Sequence, residues 1–588
     1  MKKLPLRKIY KICKFTLFPA VLFLLPFIKI RMGVDIADTA YSLGNYRDFG
    51  TERNVWSLLT FIPGALGHLF TMLPYGNTML GMKIYSTLVI SLMALVGYRF
   101  FMTKMPGWLA FLSQFIAIGM CWAPAVVLYH YMTYFLLLLA SIFLFRGLAG
   151  TNRSYCLFIA GIILGINTFV KFPGNGLQVL LIFALWFYAL ITEKEFSEVF
   201  KQTMLCIAGY AVAFGAVLLV ITATFGSDSF GMMINGVFGI AGSASDYTFG
   251  QMIASTFDAY LHGFKWAIYM ILCILPGIPF FVLWPGKMIP LRKFVYCACI
   301  AFLFFVLGRW GMYNFRFYQK ESALQWGAIF LLISIGIDIW MIFTKQLNND
   351  WKLIGIISLI NILVLPLGSN NHIWPALNDL FFIAPVTVWM VYKFVRWGRS
   401  YLDETGKVPL FALKSMSAAV VIAFFIMACG LGVFYVFMDG EEGSPRTYAV
   451  SDNEVLKGMR TTDYNARNLS ELSAFMKKTP DNAIITYGNI PGAAYFLGRK
   501  NAISTLWADL DSYPDDTFRT ELADIKTAIL TKGEKAPMVI KSLYPWQNQD
   551  ANPVKEEALF GFMNELGYES IFENEGFEVF ALTNDNTD

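Results

Sequence analysis

Charge is what this sequence has least of. Only 15% of its 588 residues are Asp, Glu, Lys or Arg, where soluble domains carry about a quarter, so most of the chain cannot live in water. The net charge of +5 is spread through loops and forms no basic stripe, which excludes nucleic acid as a partner. Cysteine is missing from the hydrophilic C-terminal tail, and a tail without cysteine needs no disulfides. The eight cysteines present are Cys13, Cys121, Cys156, Cys206, Cys273, Cys297, Cys299 and Cys429. All lie in or beside apolar runs as packing residues, and Cys297 with Cys299 lacks a zinc-type partner set. No small-x-small cleavage site follows the basic N-terminus and FTLFPAVLFLLPFI, so that run reads as an uncleaved first span. The chain also has no internal repeat and no low-complexity tract.

What it has in abundance is apolar length. Hydrophobic residues make up 56%, aromatics 16% including 54 Phe, and the mean hydropathy is +0.54. A helix needs about 20 apolar residues to cross a hydrocarbon core. On that scale spans fall near 15–30, 80–101, 108–122, 124–145, 155–170, 175–191, 203–224, 266–284, 293–308, 322–343, 352–367, 380–395 and 415–437, about thirteen in all, with the shorter ones open to a re-entrant reading.

Basic residues then set the orientation. With a cytoplasmic N-terminus, Lys2, Lys3, Arg7 and Lys8, then Arg99 and Lys104, Arg146 and Arg153, Lys287, Arg292 and Lys293, and finally Lys393, Arg396, Arg399, Lys407 and Lys414 share one face, as the positive-inside rule asks. The long polar loops at 31–79, 225–264, 309–321 and 368–379 fall on the other face, with the tail. The expected protein is a polytopic α-helical protein of the inner or plasma membrane. Its membrane domain covers 1–438, and an extracytoplasmic α/β domain covers 439–588. In that tail NAIITYGN and APMVIKSL read as strands between helices in NLSELSAFMKK and EEALFGFMNELG. Within the first outer loop, 36–48 and 56–73 are helical in pattern but too short to span, so the expectation is helices lying along the interface.

Chemistry concentrates on the outer side. Asp35 and Asp38 follow the first span and are three apart, so in a helix they share a face. A carboxylate near the bilayer surface is costly to ionise and suits a base; the bland alternative is a solvated juxtamembrane loop. Arg309, Arg316 and Lys320 crowd another outer loop beside aromatics, as a phosphate or sugar site or as an interfacial belt. LGSNNHIWPALND supplies Asn370, Asn371, His372, Trp374 and Asn378, which suit sugar hydroxyls and faces but are also ordinary turn residues. Asp246 is a further candidate for acceptor contact, while His68 and His130 read as packing histidines. In the tail, Tyr487-Gly488-Asn489 reads as a plain turn, and the patch from Trp507 to Tyr513 suits a glycan.

Several of these segments, in order, resemble the GT-C superfamily of polyprenyl-phosphate-sugar-dependent glycosyltransferases, which includes protein O-mannosyltransferases and lipid A aminoarabinose transferases. Asp38-Thr39-Ala40-Tyr41 looks like that superfamily's acidic pair followed by Tyr. Pro63 and the run to Tyr75-Gly76-Asn77 look like its second juxtamembrane helix. Met82-Lys83-Ile84-Tyr85-Ser86 resembles its basic motif opening the second span, and Phe169-Val170-Lys171-Phe172-Pro173-Gly174 its Thr-Lys-Gly-Pro element. Motifs cover roughly residues 15–180, and topology alone covers the rest.

The resemblance implies an inverting transfer from a lipid-linked donor to an envelope glycan, lipid or protein on the outer face. Asp38 would be the base, with Asp35 in reserve. Lys83, Lys171, Arg309 and Arg316 would hold the donor phosphate, and Tyr41, Asn45, Arg47, Asn370, Asn371 and His372 the sugar or acceptor. Thr39 stands in place of the second acid, the Arg expected before Tyr is absent, and Leu128-Tyr129-His130-Tyr131 stands where relatives carry Asp. These departures shift the weight to Asp38 alone and away from a metal-bridged site, although a divalent metal is the one cofactor left open. Two rival readings remain. A transporter of lipid-linked sugars would want charges within spans and inverted repeats, which are scarce here. A non-enzymatic assembly protein would need no convergent outer loops.

Overall fold

The structure is a computed structural model that describes residues 6–50, 55–149, 153–242, 249–276, 280, 288–312, 314–368, 371–405, 411–510, 513–544 and 552–582. Every expected apolar segment but 266–284 lies largely on a helix among these residues. Among the described residues, eight helices are long and apolar enough to cross a membrane: Arg7–Phe27, Met79–Phe101, Leu128–Ala149, Gly174–Thr192, Phe196–Phe225, Ile289–Arg309, Lys320–Phe343 and Phe411–Phe434. Others are shorter than expected, such as Gly107–Gly119 and Tyr155–Thr168, and Asn349–Val364 begins three residues earlier than expected. Part of the 266–284 segment, like Asp246 and Asn370, lies outside the described residues.

Hydrocarbon offers no hydrophobic drive between helices, so close approach depends on small residues. Tyr155–Thr168 and Phe196–Phe225 meet in this way. A Cβ on Gly161 would lie 1.9 Å from the Cys206 carbonyl oxygen, and one on Gly209 would lie 2.1 Å from that of Phe158. The seven described cysteines are free.

After the last span the chain builds a four-stranded sheet from β1 (Ile484–Tyr487), β2 (Met538–Ser542), β3 (Tyr568–Glu573) and β4 (Phe577–Leu582), in the order β1-β2-β4-β3. β1 and β2 are parallel, with Ile484 opposite Met538, and the crossover between them carries the helix Asp515–Lys532. β4 runs antiparallel to both neighbours. All four residues of β1 are buried, as expected of a parallel strand covered on both faces. The strands at 484–487 and 538–542, and the helices Asp463–Met476 and Pro553–Leu566, fall where the sequence pattern puts them.

The loop after the first span forms the helices Asp38–Arg47, Val55–Leu59 and Phe61–Thr71 among the described residues. Asp38–Arg47 is enclosed by protein: every residue from Thr39 to Tyr46 is buried. The tail covers it. Gly492 donates its N–H to the Ile36 carbonyl at 3.1 Å, and a Cβ on Gly492 would meet the Ala40 Cβ at 1.9 Å. Phe61–Thr71 and the turn after it leave Leu69, Met72 and Tyr75 exposed, which suits contact with lipid.

Asp439, five residues beyond the last span, fastens this arrangement. Its Oδ1 accepts from the Val34 N–H at 3.0 Å, the Thr461 hydroxyl at 2.5 Å and the Asn465 amide at 3.1 Å. Its Oδ2 faces the Arg446 Nε at 3.5 Å, and both side chains are almost fully buried. Beside it Arg460 bonds in both directions to the first loop, from its N–H to Arg31 at 2.7 Å and from the Gly33 N–H to its carbonyl at 2.8 Å. Asp439→Ala strands a buried guanidinium and three donors, a change worth roughly 3–5 kcal/mol. We expect a lower melting temperature in detergent and faster proteolytic release of the tail; an unchanged melting temperature would show the clamp to be dispensable.

Candidate functional site

The segment between the first span and the Asp38–Arg47 helix turns tightly under the tail. Asp35 makes that turn: its two oxygens accept the N–H groups of Ala37 at 2.9 Å and Thr39 at 2.7 Å, satisfying donors that a helix start leaves orphaned. Asp35 is 2% exposed. Asp38 is half-buried, and its carboxylate has no hydrogen bond or ion pair among the described residues. Burial raises both carboxyls above the ordinary carboxylate range. For Asp38 the neighbouring charge of Asp35 adds to the rise and the charge of Lys320 opposes it, whereas the amide bonds from Thr39 and Ala37 oppose it for Asp35. Asp35 is therefore committed to the fold, and Asp38 is the acid left available.

Beside this turn lies a cavity of about 120 Å³. Its walls are apolar side chains from the end of the first span, from 115–125 and from 429–437, with Lys29, Lys83 and Asp35 as its charged members. Both lysines are occupied. Lys29 Nζ donates to the carbonyls of Tyr435 at 2.7 Å and Leu431 at 3.3 Å, at the C-terminal end of the last span. Lys83 Nζ donates to those of Gly33 at 2.7 Å and Met32 at 3.1 Å.

Lys320 differs. Its Nζ sits 4.1 Å from the ring centroids of both Trp122 and Trp374 and 6.0 Å from that of Phe437. It makes no hydrogen bond or ion pair among the described residues. Cation–π contacts of about 0.5–2 kcal/mol each fix its position while leaving its three N–H groups available. Trp122 and Phe437 also line the cavity, so the box around Lys320 shares a wall with it.

The other expected residues divide into groups. Tyr41, one turn along from Asp38, packs on Trp56 and on the tail's Trp507. Asn45 is buried and donates to the Tyr41 carbonyl at 3.0 Å. Arg47 pairs with Asp48 at 2.8 Å and reaches the tail carbonyls of Ala494 and Arg499, so it clamps the tail to the loop. Lys171 is half-buried with its Nζ 6.0 Å from the Tyr129 ring. Arg309 and Arg316 are exposed, and no side-chain contact ties either to Asp38 among the described residues. Exposed His372 meets the Ser255 carbonyl at 3.1 Å, and Asn371 is half-buried.

The sequence reading passed over Lys29 and Asp439. Lys29 carried a signal, because with Arg31 it places positive charge on the outer side against the inside rule. Asp439 carried none, since one acid after a span is unremarkable until the fold surrounds it. Among the described residues no three acidic, histidine or cysteine side chains come together to hold a metal ion, and Asp35 has already spent both oxygens on amides.

These features define a polytopic helical membrane protein in which the loop after the first span and the C-terminal domain pack together around Asp38, an acid with no partner among the described residues, near an apolar, lysine-bearing cavity. No protein-family description matches the sequence, and no curated protein matches it. Solved structures are similar along nearly the whole chain. One is ArnT from Cupriavidus metallidurans bound to undecaprenyl phosphate, at 11% identity and a TM-score of 0.40, covering 97% of this chain and 98% of that one. Another is the Archaeoglobus fulgidus oligosaccharyltransferase in complex with zinc and sulfate, at 11% identity and a TM-score of 0.45, covering 96% and 73%. A third is the oligosaccharyltransferase AglB from the same organism with an inhibitory peptide and a dolichol-phosphate, at 12% and 0.41, covering 98% and 75%. Likeness at these values is too distant to carry function, which rests on the site's own geometry.

The electrostatics are testable directly. Asp38 is expected to titrate above ordinary carboxylates, followed by its carboxyl infrared band in the purified protein. Lys320→Met removes a stabilising cation and should move that titration upward, whereas Asp35→Asn removes a like charge and should move it downward. Shifts of opposite sign to these would show that the three groups do not share one field.

Proposed function

We propose that the protein is a membrane glycosyltransferase that moves a sugar from a polyprenyl-phosphate carrier to an envelope acceptor on the outer face. The observation that carries this reading is the available carboxyl of Asp38 in the loop beside an apolar cavity, one wall of which is shared with the rings that hold the unbonded ammonium of Lys320. Inverting transfer needs this pairing. Asp38 takes the proton of the acceptor hydroxyl as its oxygen attacks the anomeric carbon. The bond from that carbon to the phosphate oxygen breaks, its electron pair stays on the phosphate, and the polyprenyl phosphate departs carrying the added negative charge. Lys320 is placed to bind that charge, since fixed donors in a water-poor site stabilise developing charge most effectively. The apolar walls suit the isoprenoid chain. Lys29 and Lys83 keep the cavity positive while bracing its two sides.

The domain reading follows the same lines, with 1–438 forming the catalytic membrane part and 439–588 covering it. The packing of the 31–50 loop against the tail supports placing both on the extracytoplasmic face with the N-terminus in the cytoplasm. A divalent ion, if used, would draw on Asp38 and on ligands brought by the substrate phosphate, because Asp35 is already engaged.

The test is transfer from radiolabelled polyprenyl-phosphate sugars by purified protein in native-like membranes. Asp38→Asn should lose about 10²–10⁴-fold in turnover, the usual contribution of a positioned base, and keep its melting temperature. Wild-type activity should rise with pH through the elevated titration of Asp38, because the base works only when ionised, and Lys320→Met should move that limb to higher pH. Near-normal turnover by Asp38→Asn would end the assignment. Donor translocation without consumption would point to a transporter.

A further inference from the structure

A second set of side chains, grouped around Tyr41 of the Asp38–Arg47 helix, is not used by the chemistry above. Four aromatic rings run in sequence from the tail into the membrane part. Trp507 packs on Tyr41 with centroids 5.2 Å apart, Tyr41 on Trp56 at 6.0 Å, and Trp56 on Tyr129 at 5.6 Å. Lys171 closes the row over Tyr129. Trp507, Trp56, Tyr129 and Lys171 are each half-buried, so the row is a partly open shelf rather than core.

We propose that this shelf binds the acceptor and that the acceptor is an anionic glycan, its sugar faces stacked on Trp507 and Trp56, which flank the buried Tyr41, and its acidic group bound by Lys171. The proposal rests on the transferase reading and supplies the acceptor class that reading leaves open.

Three observations carry it. First, Lys171 is held in place without being neutralised. Its segment is pinned to the first outer loop by the Phe172 N–H to Leu59 at 2.8 Å and the Ile62 N–H to Phe169 at 3.2 Å. Yet its ammonium makes no hydrogen bond or ion pair among the described residues. Burial alone pulls its pKa down to about 8, with no carboxylate near enough to offset the effect. A charge kept unpaired in such surroundings costs free energy that a bound anion would return.

Second, Trp507 is aimed. Its indole N–H donates to the Asn489 side chain at 2.9 Å, and Asn489 holds a left-handed backbone at φ 58° in the turn after β1. With its polar edge satisfied, the ring presents its apolar face, the part that stacks on sugars. Third, Tyr41 and Asp38 are three residues apart on one helix and share a face. A glycan on the rings that flank Tyr41 would bring its hydroxyls toward the base, while the cavity is lined by Asp35 and Thr39 on either side of Asp38 in sequence.

The experiment is binding to the full-length protein in nanodiscs, followed by tryptophan fluorescence and calorimetry. The probes are hexagalacturonate, a phosphorylated mannan oligosaccharide, neutral maltohexaose and undecaprenyl phosphate. Wild type should bind at least one acidic oligosaccharide more tightly than maltohexaose. Lys171→Met should weaken that binding about tenfold or more and abolish the preference for acid, whereas Lys171→Arg should restore it. Trp507→Ala should weaken acidic and neutral glycans alike. Undecaprenyl phosphate should bind Trp507→Ala as it binds wild type, and unchanged melting temperatures report that all three variants are folded.

Equal affinity for acidic and neutral glycans in wild type, or an unchanged acidic preference in Lys171→Met, would overturn the proposal. So would an absence of glycan binding while undecaprenyl phosphate still binds. Failure of wild type to bind undecaprenyl phosphate counts instead against the transferase reading, and the two failures are thereby separable.

Discussion

The structure depends on one buried carboxylate. Asp439 stands where the last span gives way to the tail, and it gathers an N–H from the first outer loop, a hydroxyl and an amide from the tail, and a guanidinium from its own turn. Such a group is expensive to bury unless its partners are all in place. The ends of the first and last spans and the tail must therefore meet in one arrangement. The covering of the Asp38–Arg47 helix and the wall of the lysine-bearing cavity both follow from that meeting.

Within this frame the basic residues have two different uses. Lys29, Lys83 and Arg47 spend their donors on backbone carbonyls or on an adjacent acid, and act as struts. Lys320 and Lys171 are held by aromatic rings, a contact that fixes position without consuming hydrogen-bond donors. The acids divide in the same way. Asp35 and Asp439 are occupied with amides, whereas Asp38 keeps its oxygens. Burial also raises the carboxyl of a fourth acid, Asp379, well above the ordinary carboxylate range.

Some of this was legible beforehand. The helical segments were visible because apolar runs of spanning length have few other fates. The α/β tail was visible where strands are continuously apolar, as in Ile484–Tyr487. β3 and β4 escaped because YESIFE and FEVFAL mix charge into short runs, a pattern that a half-exposed antiparallel pair tolerates. Asp38 was legible because an acid beside a span is costly. Arg47 was misleading: an outer-loop arginine looks like a ligand-binding cation until its partners, Asp48 and two tail carbonyls, come into view.

The sequence by itself determined that the chain belongs in a bilayer, that its C-terminal part mixes helices with short strands, and which few polar residues merit chemical scrutiny. These follow from composition and local pattern, because the cost of placing charge in hydrocarbon acts residue by residue. Only the tertiary structure decided which of those residues remain available. A lysine is a strut or a ligand-binding cation according to whether a carbonyl 400 residues away lies within reach, as Tyr435 does for Lys29. That depends on long-range packing, which no local window of sequence contains.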